Sequence, residues 1–184
     1  MFHALTIKIF RPACNSAFSV QFSVSQKRER TKGRIMPLNT PDLTQFPPRS
    51  PRVRLGGYVI LPRCLDKGRA TVTGKNGEYH FACPLDHRFL DFVGIDPEAL
   101  KKELAAGKSD SEILEWVDKN AKFRRSPYEI AAWAAHAEQH TPGDPETRDY
   151  FNGICKQAAP HREDIHTFFD MLDLDDYVTF GGKP

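Results

Sequence analysis

Ser126-Pro127-Tyr128-Glu129-Ile130-Ala131-Ala132-Trp133-Ala134-Ala135-His136-Ala137 joins a helix start to a buried stripe. The Ser126 hydroxyl can accept from the backbone of residue 129, and Glu129 can reach back to residue 126. This capping box satisfies donors that a helix start leaves open. Pro127 sits where its preset φ helps and its missing N–H costs nothing. Ile130, Trp133, Ala134 and Ala137 then recur at i, i+3, i+4 and i+7, the period of one helical face.

The same pattern repeats in both directions. Downstream, Asp144-Pro145 precedes Tyr150, Phe151, Ile154, Cys155 and Ala158. Pro160 is expected to open the last helix, with Ile165, Phe168, Phe169 and Leu172 on its inner face. Upstream, Ser109 and Glu112 form a second capping box ahead of Ile113, Trp116 and Val117. Asp96-Pro97 caps a segment that Ile95 and Leu100 staple and Gly107 closes. Pro84 starts another, with Leu85, Phe89, Phe92 and Val93 on one face and Gly94 as its stop. Leu61, Pro62 and Leu65 read as a helix that Gly68 and Thr71-Val72-Thr73 should keep short. Asn76-Gly77, between Ala70–Thr73 and Glu78–Ala82, predicts a type I′ hairpin. The expected fold is mainly α: a compact bundle of five to six helices with a small β-hairpin near residues 70–82, in one helical domain over residues 40–184. Trp116, Trp133, Tyr150, Phe151, Phe168 and Phe169 are expected in its core.

Composition agrees with this. Of 184 residues, 40% are apolar, enough to bury a core at this length. No uncharged apolar run reaches the roughly 18 residues of a membrane span. No Gly-X-Y period or longer repeat is visible. The net charge of +2 conceals an asymmetry, because residues 1–35 hold seven Lys/Arg and only Glu29 as an acid. The remaining residues carry 19 bases and 23 acids, a net −4. That balance argues against a nucleic-acid partner, which needs a basic face. Residues 1–39 read as a disordered or over-long N-terminal extension, with translation starting naturally at Met36. Five prolines between residues 37 and 51 make an extended arm. Cys14, Cys64, Cys83 and Cys155 form no C-x-x-C and match no zinc module, so reduced thiols in the cytoplasm are expected.

The densest polar cluster spans residues 49–88. Arg49, Arg52 and Arg54 lie on the arm, and Arg63, Asp66, Lys67 and Arg69 lie on or just beyond the first helix. Tyr79, His80, Cys83, Asp86 and His87 follow. Arginine forks match carboxylate and phosphate geometry, so Arg52, Arg63 and Lys67 are the candidate ligand-binding residues. Lys67, Cys83 and Asp86 are the candidate catalytic residues, with Cys83 just ahead of Pro84 at a helix start, where exposed N–H groups favour a thiolate. Equally, the acids could pair with the arginines and hold the arm in place, with Cys83 a small buried apolar residue.

Other groups carry less. His136 and His140 are four apart on one helix, but Glu138 falls off their face, and His161 and His166 are poorly spaced. Asp170, Asp173, Asp175 and Asp176 lack the glycine and final glutamate of a calcium loop and could instead meet the arginine arm. No metal and no cofactor are expected.

Pro48-Arg49-Ser50-Pro51-Arg52, Leu55-Gly56-Gly57-Tyr58, Leu61-Pro62-Arg63, Leu65-Asp66-Lys67 and Cys83-Pro84-Leu85-Asp86 together resemble a bacterial family known only as a domain of unknown function. Leu172-Asp173-Leu174-Asp175-Asp176 fits the same pattern. The resemblance covers about residues 40–184. It implies a bacterial cytosolic setting and no particular reaction. Two functions stay open: binding or transformation of a small anionic ligand at residues 49–88, with no membrane partner, or a non-catalytic helical protein-interaction module.

Overall fold

The computed structural model describes residues 40–184. The expectation for residues 1–39 lies outside them. Among the described residues seven helices occur in order: α1 Leu61–Thr73, α2 Pro84–Val93, α3 Pro97–Ala105, α4 Asp110–Asn120, α5 Pro127–Glu138, α6 Pro145–Ala158 and α7 Phe168–Thr179. The class is mainly α, but the helix count exceeds the five or six expected.

Local chemistry sets most of the boundaries. Ser109–Glu112, Ser126–Glu129 and Thr167–Asp170 each form a complete capping box. Asp96 and Asp144 cap α3 and α6 through single side-chain acceptors. Pro160 does not open the last helix. That role falls to Thr167, and the Phe168 N–H donates to the carbonyl of His140 at 3.0 Å, tying the start of α7 to the end of α5.

The hairpin near residues 70–82 is absent, and no strand occurs among the described residues. Ala70–Thr73 instead complete α1. The hydroxyls of Thr71 and Thr73 donate back to the carbonyls of Lys67 and Arg69, so these β-branched residues sit in the helix with their polar groups satisfied. Gly74 ends it in the left-handed conformation, with φ +67°. Asn76-Gly77 does turn the chain, but toward the arm: the Leu43 N–H donates to Lys75 O at 2.9 Å. The reciprocal pairing of a tight turn occurs at Leu55 and Tyr58, around Gly56 and Gly57. Both glycines have positive φ (+59° and +86°), as a type I′ turn requires.

α1 is the axle of the fold, with residues 61–70 buried on every face. Gly68, expected to weaken it, lets it approach α3. A Cβ there would clash with Leu104 Cδ1 and lie 3.1 Å from the Phe81 ring. Leu61, Cys64 and Leu65 join Phe89, Leu100 and Ile113 in the core. Each large apolar side chain buried this way contributes about 1.5–3 kcal/mol. A helix buried all round must also bury its polar residues, and on α1 these are Arg63, Asp66, Lys67 and Arg69.

Candidate functional site

Burying three cations and an acid on one helix is unfavourable unless each finds a partner. Partners come from the arm, α2, α4 and α7. Arg49 on the arm forks onto Asp66, with Nε–Oδ2 and Nη2–Oδ1 at 2.8 and 2.7 Å. Its Nη1 reaches Asp110 at 2.6 Å, which Arg69 also holds at 2.7 Å. Burial raises the Asp110 carboxyl, but the bonds from Arg49 and Arg69 outweigh it and hold the group below its ordinary value.

One turn earlier on α1, Arg63 meets Asp176 of α7 through two bonds of 2.6 and 3.1 Å. The Tyr79 hydroxyl donates to the same carboxylate at 2.7 Å, and the Arg63 guanidinium lies over the Tyr79 ring at 5.5 Å. Arg52 pairs with Asp170 and lies 3.4 Å from Asp173, with the Phe169 ring beneath it. Arg54 pairs with Glu138 at 2.8 Å. Carboxylates along α7, from Asp170 in its first turn to Asp176, therefore supply counter-charges to the arm and to α1.

The remaining cation on α1 has a different environment. The Lys67 ammonium lies 2.9 Å from Oδ1 of Asp86 and donates to Sγ of Cys83 at 3.1 Å. Asp86 is fully buried, yet neither of its oxygens has a donor in hydrogen-bonding alignment. Burial pushes its carboxyl above the ordinary value, against the pull of Lys67 and the neighbouring Cys83 and Ala82 amides. Cys83 is half-buried and occupies the cap position of α2. The residue before it, Ala82, holds φ +57°, a conformation unfavourable for a side chain with a Cβ. Cys64 also sits in the core, where burial pushes its thiol well up and makes it inert.

The structure therefore brings Lys67, Cys83 and Asp86 together. It turns Arg52 and Arg63 toward α7 carboxylates instead, away from a common site with Lys67. The sequence reading missed Asp110, because an acid in the first turn of a helix looks like a complement to the helix dipole. It also missed Ala82, because no residue pattern signals a positive φ at alanine.

Other polar groups assemble less. The rings of His136 and His140 are 6.0 Å apart, and His140 stacks on Phe168. No three His, Cys, Asp or Glu side chains converge as a metal site among the described residues. A cleft of about 440 Å³ along α7 is lined by Arg162, Asp164, Asp170, Asp173 and Tyr177 among others, and Cys83 is not part of it. No described helix is long and apolar enough to cross a membrane.

Comparison with curated proteins yields no match. A family model does match, over residues 45–178, a span that includes the arm, all the charged residues of α1, Cys83, Asp86 and Asp176. The chain belongs to the family described as Domain of unknown function (DUF5069).

Proposed function

We propose that the protein acts on a small anionic ligand through Cys83, with Lys67 and Asp86 as its supporting pair. The observation that carries this reading is the Lys67 ammonium held between Sγ of Cys83 and the buried carboxylate of Asp86. The ammonium, 3.1 Å from the sulfur, is placed against a side chain whose chemistry is nucleophilic. Cys83 is then the nucleophile, and Lys67 stabilises it and attracts the carboxylate or phosphate of the ligand. Asp86 is a positioning residue that fixes the ammonium. Arg52 and Arg63, the other ligand-binding candidates, act here as scaffold.

The test uses two alkylating probes on the full chain, neutral iodoacetamide and anionic iodoacetate, with each cysteine followed by peptide mass spectrometry. Cys83 is expected to react faster than half-buried Cys155 by roughly an order of magnitude. The preference of Cys83 for iodoacetate should disappear in the Lys67→Met/Asp86→Leu double variant. Equal rates at Cys83 and Cys155, unchanged by the double variant, would overturn the reading.

One observation favours the alternative, a helical interaction module without chemistry. Arg49, Arg52, Arg54, Arg63 and Arg69 all have carboxylate partners within the chain, which leaves none of them free for a ligand. The alkylation experiment separates the two, because a pure interaction module has no reason to activate Cys83.

A further inference from the structure

We propose that Lys67 and Cys83 form a reversible covalent N–S link when the protein meets a hydroperoxide. The inference rests on the reading of Cys83 as a reactive thiol and adds a modification site to it.

The geometry is already that of the reactants. The two atoms to be joined are 3.1 Å apart, and the amine donates directly to the sulfur. The Lys67 side chain is only 4% exposed, so water does not compete freely for its nitrogen. Both oxygens of Asp86 are without an aligned donor, and one lies 2.9 Å from the ammonium. A lysine must lose a proton to become a nucleophile, and Asp86 is placed to take it. Burial already favours the protonated form of that carboxyl.

The chemistry balances in two steps. Cys83 sulfur attacks one oxygen of the hydroperoxide, the O–O bond breaks, and the thiol proton leaves with the other oxygen as water or an alcohol. Sulfur is oxidised to a sulfenic acid and the peroxide is reduced. Lys67 passes one proton to Asp86, and its nitrogen then attacks the sulfur. The S–O bond breaks, and the departing hydroxide takes a second proton from that nitrogen and leaves as water. The product is Cys83 Sγ bonded to Lys67 Nζ, with Asp86 protonated. A thiol reductant reverses it: the reductant's sulfur displaces the amine, and a second thiol then resolves the mixed disulfide. The His87 N–H donates to the Cys83 carbonyl and fixes the main chain that carries the sulfur.

The experiment treats the full chain with hydrogen peroxide and maps it by mass spectrometry without reductant. The expected product is a peptide pair joined through Lys67 and Cys83, lighter by two hydrogens, with tryptic cleavage after Lys67 blocked. Dithiothreitol should restore both residues and the cleavage. In Lys67→Arg, which keeps the charge, Cys83 should instead accumulate sulfenic acid that dimedone captures. If that variant does not fold, dimedone competition on the wild-type chain gives the same reading. A dimedone adduct or a sulfinic acid at wild-type Cys83 without any joined peptide would overturn the link. If alkylation of Cys83 still shows its rate advantage, only this inference fails. If Cys83 resists both peroxide and alkylation, the proposed function fails with it.

Discussion

Arg63 and Lys67 stand one turn apart on the same buried helix, and both are almost free of solvent, yet they are served in different ways. Arg63 has two aligned bonds to Asp176, a third to the Arg49 carbonyl, and an aromatic ring against its guanidinium. Asp176 gains a further donor from Tyr79. Lys67 faces a carboxylate whose oxygens have no aligned donor, with a thiol as its second contact. A buried network with its members satisfied specifies one arrangement and is rigid. A buried pair left partly unsatisfied needs another explanation, and a chemical role is one of the few available. The contrast sets the fully satisfied part of the charge cluster apart from the part on which the proposed chemistry rests.

The largest expected effect tests the first half of that contrast. Arg63→Ala leaves Asp176 buried and without its cation, since the two side chains are only 4% and 7% exposed. The expected loss of unfolding free energy is about 3–5 kcal/mol. Arg52→Ala, at a pair 39% and 27% exposed, should cost under about 1 kcal/mol. Urea unfolding measures both. A loss at Arg63 no larger than at Arg52 would remove the distinction between a buried clasp and a surface pair.

The second effect concerns Lys67 and Asp86. Replacing both at once, as Lys67→Met/Asp86→Leu, removes two buried charges together and leaves neither unpaired. Such replacements are commonly neutral or stabilising by about 1–4 kcal/mol. The double variant is expected to fold at least as firmly as the natural chain, while the rate advantage of Cys83 is lost. A double variant that is both strongly destabilised and fully reactive would show the pair to be scaffold after all.

Sequence alone was enough where the physics is local. The Ser109 and Ser126 boxes and the proline starts lie within four residues of the boundaries they set. It was not enough where a distant contact decides. Ala70–Thr73 is strand-like in isolation, but in the fold it completes α1, whose residues from Leu61 to Ala70 are buried. Pro160 looked like a helix start, whereas the box that opens α7 sits seven residues on, at Thr167. The residue types of the candidate site were legible, since cations, acids and a thiol crowd residues 49–88. Their pairing was not, because Arg63 and Asp176 are 113 residues apart in the chain. No pattern in the residues distinguishes a lysine that contacts Cys83 from an arginine that turns to α7.

The smallest expected effect is a difference of sign in acid. Asp110 and Asp86 are both carboxylates paired to cations on or beside α1, and both start from an ordinary value of 3.8. In the folded chain Asp110 lies below that value. The unfolded chain then binds more protons as pH falls, so the stability Asp110 contributes is present above 3.8 and is lost as pH drops through its folded value. Asp86 lies above 3.8 when folded. The folded chain takes up its proton first, so the contribution of Asp86 is fully present below 3.8 and is lost as pH rises through its folded value. Comparing the natural chain with Asp110→Asn should therefore give a stability difference that grows with pH. With Asp86→Asn the difference should shrink with pH, over a window that begins at 3.8 and extends upward. Urea unfolding at a series of pH values on both sides of 3.8 reads both slopes. Slopes of the same sign would mean that Asp86 is held by its lysine as firmly as Asp110 is by its arginines, and the buried pair beside Cys83 would lose its claim to be different.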